Sequence, residues 1–539
     1  MTRHVSIFKK LKDRSQSAPK PRVQTEDLVT CSFCATTRPR GTVHRCNVGP
    51  LIELSSSTKS VLKAIRQAGG TPIIVGGSVR DAILNAEKGA GTYQAKDIDI
   101  EVFGIEDPAL LKNYLARRAP VDERGVSFGV LTMQMGGTDY DISLPRRDSK
   151  SGRGHKGFDV EVDPTLGEVE AFGRRDFTIN AMGFDPTKEE LVDPYGGTQD
   201  LYDRVLRHTT PAFSDDPLRV LRGVQFAARF GFDMAPETVE ESARIKDSFG
   251  EIATERVWGE FEKILTKGTH VSKAIHVLQD TGWMDHFPEL GRMADVPQDP
   301  KWHPEGDVLT HLGLAADRAI EKSIGEESVK ARPLVVFTAL VHDFGKYGAG
   351  TQIHKNPDGT LDKITSYGHD DMADEAIDSF AARIGAPRSL SDPAKKIVRE
   401  HMSYVTAGDG EPSSSAVRKL VRRLGDGSDG ATLANWARVV DADHGGRAEA
   451  SVEGSGWKWV EKARQLDSIV PKKPLLRGGM LDELGVPKTP VMGEIIKASI
   501  VAQDNEEFTD HDGAREWARN YIAGMSFPTA RIAPIPRRK

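Results

Sequence analysis

Apolar and polar positions alternate with two different periods along this chain. Lys59–Gln67 has helical periodicity, and Gly69-Gly70 ends it. Thr71–Val75 is a short β-rich run that stops at Gly76-Gly77. A helix over Ser78–Leu84 and a Gly-containing loop over Lys88–Gln94 follow. The period then becomes two: Asp97-Ile98-Asp99-Ile100-Glu101-Val102 alternates acid with apolar, as a strand does. Further strands are predicted around Gly129–Met135 and Thr138–Leu144. From about Ser214 the pattern turns helical and stays so, and 303–470 is helix-rich with histidines spread through it. The tail Phe527–Lys539 is rich in Pro and Arg and reads as a disordered or RNA-contacting arm.

With 539 residues and 38% hydrophobic content, the chain can build several cores, roughly three or four domains. No run of about 18 apolar residues suggests a membrane span, and the start MTRHVSIFKKLKDRSQSAPKPR lacks the apolar segment of a secretory signal. All three cysteines lie between Cys31 and Cys46, which argues against a disulfide framework and for a reducing cytoplasm. The net charge of −6 is no fingerprint of a nucleic-acid binder, so local arginine clusters carry that question.

Three pieces form a nucleotide-site constellation. In Val75-Gly76-Gly77-Ser78-Val79-Arg80-Asp81 a strand meets a tight glycine turn and a helix start. Such a turn brings backbone N–H groups and a helix N-terminus toward a phosphate, and Arg80 adds a bidentate donor. Asp97 and Asp99 point to one face of a strand, where paired carboxylates repel unless a cation lies between them; that suits Mg²⁺. Asp141 on a later strand can supply a third carboxylate, with Asp139 its rival on the same face. In Arg174-Arg175-Asp176-Phe177-Thr178-Ile179-Asn180-Ala181, adjacent arginines with Asp176 and Asn180 suit a triphosphate and a ribose. Each piece has a plainer reading, as an ordinary turn, a solvated strand face or a surface ion-pair cluster.

The order GGSVRD, DID, RRDFTINAM, LVDPYGGTQDLYDRVLRH and FSDDPLRVLRGVQFAARFGF, over roughly residues 71–232, resembles the class II tRNA nucleotidyltransferase (CCA-adding enzyme) and bacterial poly(A) polymerase family. The resemblance implies an α/β head of the polymerase-β type with a mixed sheet, then an all-α neck and body. It implies Asp97 and Asp99 as metal carboxylates, Gly77, Arg80 and Arg175 as nucleotide contacts, and Asp216, Arg219 and Arg222 as the protein's substitute for a template. The chemistry of the last three fits independently. Asp216-Pro217 reads as a helix start, and a spacing of three aligns the trio on one face. A carboxylate accepts from the exocyclic amine of C or A, while a guanidinium donates to the adjacent ring nitrogen. Gln225 stands where the family often has Arg, and Asp141 where many members carry Glu.

A second constellation contains His311, Leu340-Val341-His342-Asp343-Phe344-Gly345-Lys346 and Asp443. It resembles the HD phosphohydrolase domain over roughly 301–450. The resemblance implies His311, His342, Asp343 and Asp443 as ligands of a divalent metal, with His369 and His401 as candidates for a second metal or for phosphate. Imidazole with carboxylate suits Ni, Mn, Co or Fe better than Ca. Such a domain would clean damaged 3′ ends before extension.

Cys31, Cys34, His44 and Cys46 give a Cys₃His set that can close a tetrahedral structural Zn²⁺ site. This cluster lies outside the family core.

The expected organisation is therefore a basic arm with the zinc cluster (1–55), a nucleotidyltransferase head (56–205), a helical neck and body with the nucleotide-recognition helix (206–295), an all-α HD domain (296–470), and a C-terminal helical segment with a basic tail (471–539). The expected activity is addition of CCA to tRNA 3′ ends from CTP and ATP, with Mg²⁺ at the polymerase site and phosphohydrolase repair at the HD site. Expected partners are tRNA or another RNA 3′ end, CTP and ATP, with no membrane; oligomeric state leaves no signature in one sequence. The rival readings are a poly(A) polymerase of the same family, a metal phosphohydrolase whose head only binds RNA, and a catalytically silent RNA-binding scaffold, against which the metal-ligand residues at both sites argue.

Overall fold

The computed structural model describes residues 28–125, 130–150, 158–323, 325–408, 410–447, 455–523 and 525. The basic start and the tail Phe527–Lys539 lie outside the described residues. The chain divides into two compact units, Met1–His286 and Phe287–Lys539. The division falls within the 206–295 segment expected to be neck and body.

The first unit is built on an eight-stranded sheet. Its strand order is Arg45–Asn47, Glu190–Val192, Gly183–Asp185, Thr71–Val75, Asp97–Phe103, Thr138–Ser143, Val130–Met135 and Val121–Gly125. Neighbours are antiparallel except Asp97–Phe103 and Thr138–Ser143, which run parallel, so the sheet is mixed as expected. The alternation read from the sequence has the anticipated consequence: Ile98, Ile100 and Val102 are buried on one face, while Asp97, Asp99 and Glu101 share the other. The helix after the glycine turn spans Gly77–Glu87, longer than predicted, and packs Val79, Ala82 and Ile83 into the core. Helices then take over: Leu218–Phe230, Pro236–Arg244, Thr254–Lys267 and Val271–Asp280. Gly231, at φ +71°, ends the first of these in the left-handed conformation that favours glycine.

The second unit packs the helices Val308–Glu321, Glu326–Val341, Arg388–Glu400 and Leu433–Gly445 around a core containing Phe337, Val398 and Trp436. Its C-terminal part has a core of its own, centred on Leu476, Leu481, Ile495 and Phe508. The expectation that the chain stays helical after Ser214 needs correction. Gln352–Lys355 and Leu361–Thr365 form an antiparallel hairpin, and Val205–Leu206 pairs in parallel with Asp233–Met234. The hairpin turns through Asn356-Pro357-Asp358-Gly359, where Gly359 has φ +86° and the Asp358 carboxylate accepts from the Thr360 amide.

Candidate functional site

A cavity of about 510 Å³ in the first unit gathers most of the predicted nucleotide-site residues: Gly76, Gly77, Arg80, Asp99, Arg175, Asp176, Asn180, Asp216, Arg219 and Arg222. Five elements converge on it: the glycine turn, the strand Asp97–Phe103, the Arg174–Asn180 segment, the helix Leu218–Phe230 and the helix Thr254–Lys267. Nine arginines and lysines line it against three carboxylates, an imbalance that suits a polyanion.

The turn at Gly76 is demanded twice over. Its φ of +72° disfavours any side chain, and a Cβ there would stand 3.0 Å from Arg175 Nη1 and 3.2 Å from Asp99 Oδ2. One detail of the expected phosphate cradle is different: the Gly76 amide donates to the Met182 carbonyl at 3.2 Å, so it is spent within the sheet.

Asp97 pairs in register with Asp139, and Asp99 with Asp141, so four carboxylates share one face of two adjacent parallel strands. Of these, Asp99 lines the cavity. Asp97 is exposed at the strand's first position, and Asp141 lines a neighbouring hollow with Asp139. Burial pushes the Asp99 carboxyl up; Arg175 opposes this, while Asp141, Asp97 and Glu101 add to it. Acidic groups crowded in this way fit a divalent cation, which Asp97 and Asp99 could hold.

The arginines are held by a network that the sequence did not reveal. Glu101 is fully buried, and its two oxygens accept from Arg174 Nη2 and Arg175 Nη2, each at 3.0 Å. The signal was present, since Glu101 continues the alternation begun by Asp97 and Asp99. Asp176 accepts from Arg222 Nε at 2.6 Å, from Asn180 Nδ2 at 2.9 Å and from the Phe177 amide at 2.8 Å. Burial alone would raise the Asp176 carboxyl, but Arg222 and these hydrogen bonds hold it at about 2. Asn180 Oδ1 in turn accepts from Arg80 Nη1 at 2.6 Å, and Arg80 is buried over the Phe226 and Phe230 rings. Arg80 therefore reaches the cavity as part of a braced scaffold rather than as a loose surface arm.

Asp216 sits one residue ahead of Pro217, which takes the N-cap position of the Leu218 helix in place of the expected Asp216; the Asp216 carboxylate still accepts from the Leu218 amide at 3.1 Å. The same carboxylate is bound at both oxygens by Arg256. Arg219 donates to the Ala212 and Arg174 carbonyls, each at 2.7 Å. Arg256, Lys263 and Lys267 were missed as site residues, although their spacing of seven and four along the helix Thr254–Lys267 places them on one face.

The second unit brings together every residue of the HD constellation. Ligand-type atoms of His311, His342 and Asp443 lie within 4.8 Å of one another, as do those of His342, Asp343 and His401. His369 Nε2 is 3.1 Å from His401 Nε2 and 3.2 Å from Asp343 Oδ1. All six are buried, and the buried His342 Nε2 has no hydrogen-bond partner. A buried imidazole nitrogen left unbonded among carboxylates fits a metal ligand. Burial and the imidazoles of His369 and His342 hold His401 at about 3, so it is neutral near pH 7. Sequence reading passed over Glu305, whose Oε1 meets His303 Nδ1 at 2.9 Å and His311 Nδ1 at 2.7 Å and so aims the latter's Nε2 inward. It also passed over Lys346, 2.6 Å from Asp343, and Arg447, 3.6 Å from Asp443. These line a cavity of about 710 Å³ with His303, His369 and His401.

Residues 73–207 match the family described as "Poly A polymerase head domain", and residues 231–293 match "Probable RNA and SrmB- binding site of polymerase A". The chain is 34% identical over 380 residues to the "Multifunctional CCA protein" of Xanthomonas campestris pv. campestris, covering 69% of this chain and 85% of that one. It is 33% identical over 384 residues to the protein of the same description from Xylella fastidiosa, covering 69% and 83%. Among solved structures, the fold is similar to the Bacillus stearothermophilus CCA-adding enzyme in complex with CTP (TM-score 0.56, 18% identity, 87% of this chain and 98% of that one). It is also similar to the Thermotoga maritima CCA-adding enzyme complexed with tRNA_CCA (TM-score 0.53, 18% identity, 89% and 99%).

Proposed function

The chain belongs to the multifunctional CCA protein family, and on that premise we propose that it is a tRNA nucleotidyltransferase that adds CCA to 3′ ends from CTP and ATP. The observation that carries this reading is the convergence of Asp99, Arg175, Asp216 and Arg219 on one strongly cationic cavity. In the reaction the RNA 3′-hydroxyl attacks the α-phosphorus of the nucleotide and pyrophosphate leaves. Arg175, held by Glu101, neutralises phosphate charge, and the scaffold through Asp176, Asn180 and Arg80 keeps its neighbours from shifting as charge develops. Asp216 and Arg219 offer an acceptor and a donor to the base edge, the pattern that C and A complement. Mg²⁺ held by Asp97 and Asp99, with Asp141 opposite Asp99 as a third carboxylate, would supply Lewis acidity toward the phosphate oxygens. No described helix is long and apolar enough to cross a membrane. The three thiols, all free, suit a reducing cytoplasm.

The His311, His342, Asp343 and Asp443 cluster supports a phosphohydrolase acting on damaged or cyclised 3′ ends, with Ni, Mn, Co or Fe as the chemically suited metals. Lys346 and Arg447, beside its carboxylates, are placed to hold a phosphate ester. The test of the whole reading is to supply tRNAs lacking the terminal A, CA or CCA with CTP and ATP, and to sequence the products. Completion to CCA and arrest there is expected. Runs of A would instead select the poly(A) polymerase reading, and no extension would select the phosphohydrolase with a silent head.

A further inference from the structure

The short segment ahead of the head domain folds back on the sheet. Leu28–Thr30 and Thr37–Pro39 pair as a hairpin, and Arg45–Asn47 adds an edge strand to Glu190–Val192. Each of these strands has three residues, too few to hold themselves in water. Few apolar side chains in this arm are buried, Val29 and Val48 among them, so its own core is slight. Something else must fix it.

Four donor atoms stand where such a fixing point is needed. One ligand atom each of Cys31, Cys34, His44 and Cys46 lies within 4.8 Å of the others, and Cys34 Sγ is 3.3 Å from His44 Nε2. A Zn–S bond of about 2.3 Å makes the edge of a zinc tetrahedron about 3.8 Å, so this cluster is already close to a closed site. The Cys31 carbonyl accepts from the Ala35 amide at 2.8 Å, turning the chain so that Cys31 and Cys34 come together. Three thiols and one imidazole form a soft set, and four protein donors leave no open position. That describes a structural site rather than a catalytic one.

The anchored arm touches a segment that matters to the cavity. The His44 carbonyl accepts from the Asp193 amide, Arg38 donates to the Asp193 carbonyl, and Arg40 to that of Tyr195. The Asp193 carboxylate caps the helix Gly197–Asp203 through the Gly197 and Thr198 amides at 2.8 and 3.1 Å. Asp200 on that helix accepts from the Thr178 hydroxyl at 2.6 Å, two residues before the cavity residue Asn180. We propose that Cys31, Cys34, His44 and Cys46 bind one structural zinc ion, which clips the preceding arm to the Asp193–Tyr195 turn and so braces the nucleotide cavity from behind.

The test uses the full chain loaded with cobalt, because thiolate ligands give a cobalt charge-transfer absorption that the His and Asp residues of the second unit cannot. A thiolate-to-cobalt band with tetrahedral d–d absorption is expected, saturating at one equivalent in Asp343→Asn, where the second unit no longer competes for cobalt. It should survive in Asp343→Asn and vanish in Cys34→Ser, whose side chain is exposed and whose loss disturbs packing least. Hydrogen exchange at amides of 189–203 should quicken at least tenfold in Cys34→Ser. A cobalt-loaded wild-type chain without the thiolate band would overturn the site, as would a disulfide that leaves fewer than three thiols open to alkylation in the unfolded chain. Unchanged exchange over 189–203 after loss of the band would overturn the bracing role.

Discussion

Arg256 closes on both oxygens of Asp216, with Nη1 3.3 Å from Oδ1 and Nη2 2.8 Å from Oδ2. The carboxylate expected to read the base is thus oriented before any nucleotide arrives. The pair is partly exposed, so its loss should cost folding about 1 kcal/mol or less. Arg256→Ala should therefore leave thermal unfolding nearly unchanged. It should lower kcat/KM for CTP and ATP roughly tenfold, as expected when an orienting charged hydrogen bond is lost. Steady-state single-nucleotide addition beside a melting curve checks both halves.

Asp99 lines the cavity, beneath Gly76 and beside Arg175. Asp99→Asn keeps the volume and removes the charge that would hold the cation. Nucleotide addition should fall roughly 10³-fold, since metal stabilisation of the transition state is worth several kcal/mol. Phosphate-ester hydrolysis by the second unit should persist. Equal loss of both activities in a folded variant would contradict the assignment of two sites.

The Asp176 carboxyl, held at about 2 despite its burial, gives the fold an acid-sensitive joint. Its folded value lies below the unfolded value of about 3.9. The stabilisation is therefore complete above pH 4 and lost as pH falls toward 2, on the order of 2 kcal/mol in all. In Asp176→Asn, urea unfolding should show lower stability at pH 7 and a shallower decline between pH 4 and pH 2 than in the wild type.

Asp343 stands between the two groups of histidines in the second unit, 3.4 Å from His342 and 3.2 Å from His369. Asp343→Asn should release the bound transition metal and remove hydrolysis of a 2′,3′-cyclic phosphate substrate, with CCA addition retained. Metal content by mass spectrometry, read beside both assays, checks this.

What the sequence made legible follows from the range of the interaction concerned. The alternation from Asp97 to Val102 is a local pattern, and the strand it implied has its apolar face in the core. The Cys/His cluster was visible because its four members fall close together in the chain. Arg256 could not be assigned a role because its partner Asp216 lies on another element, and only folding joins them. Glu101 was passed over for a related reason: a buried acid makes sense only once Arg174 and Arg175 are seen to hold it. The hairpin Gln352–Lys355 with Leu361–Thr365 was missed because its strands are largely exposed and bury no apolar face, leaving the Asn356–Gly359 turn as the one local sign.

The account rests on protein side chains, not a nucleic-acid template, choosing the incoming base. The most direct measurement offers equimolar CTP, ATP, UTP and GTP to a tRNA lacking CCA, and sequences the 3′ ends made by the wild type and by Asp216→Ala. The wild type should add C, C and A and stop, while Asp216→Ala should still extend but incorporate U and G beside C and A. An Asp216→Ala chain that extends with unchanged base choice would contradict it.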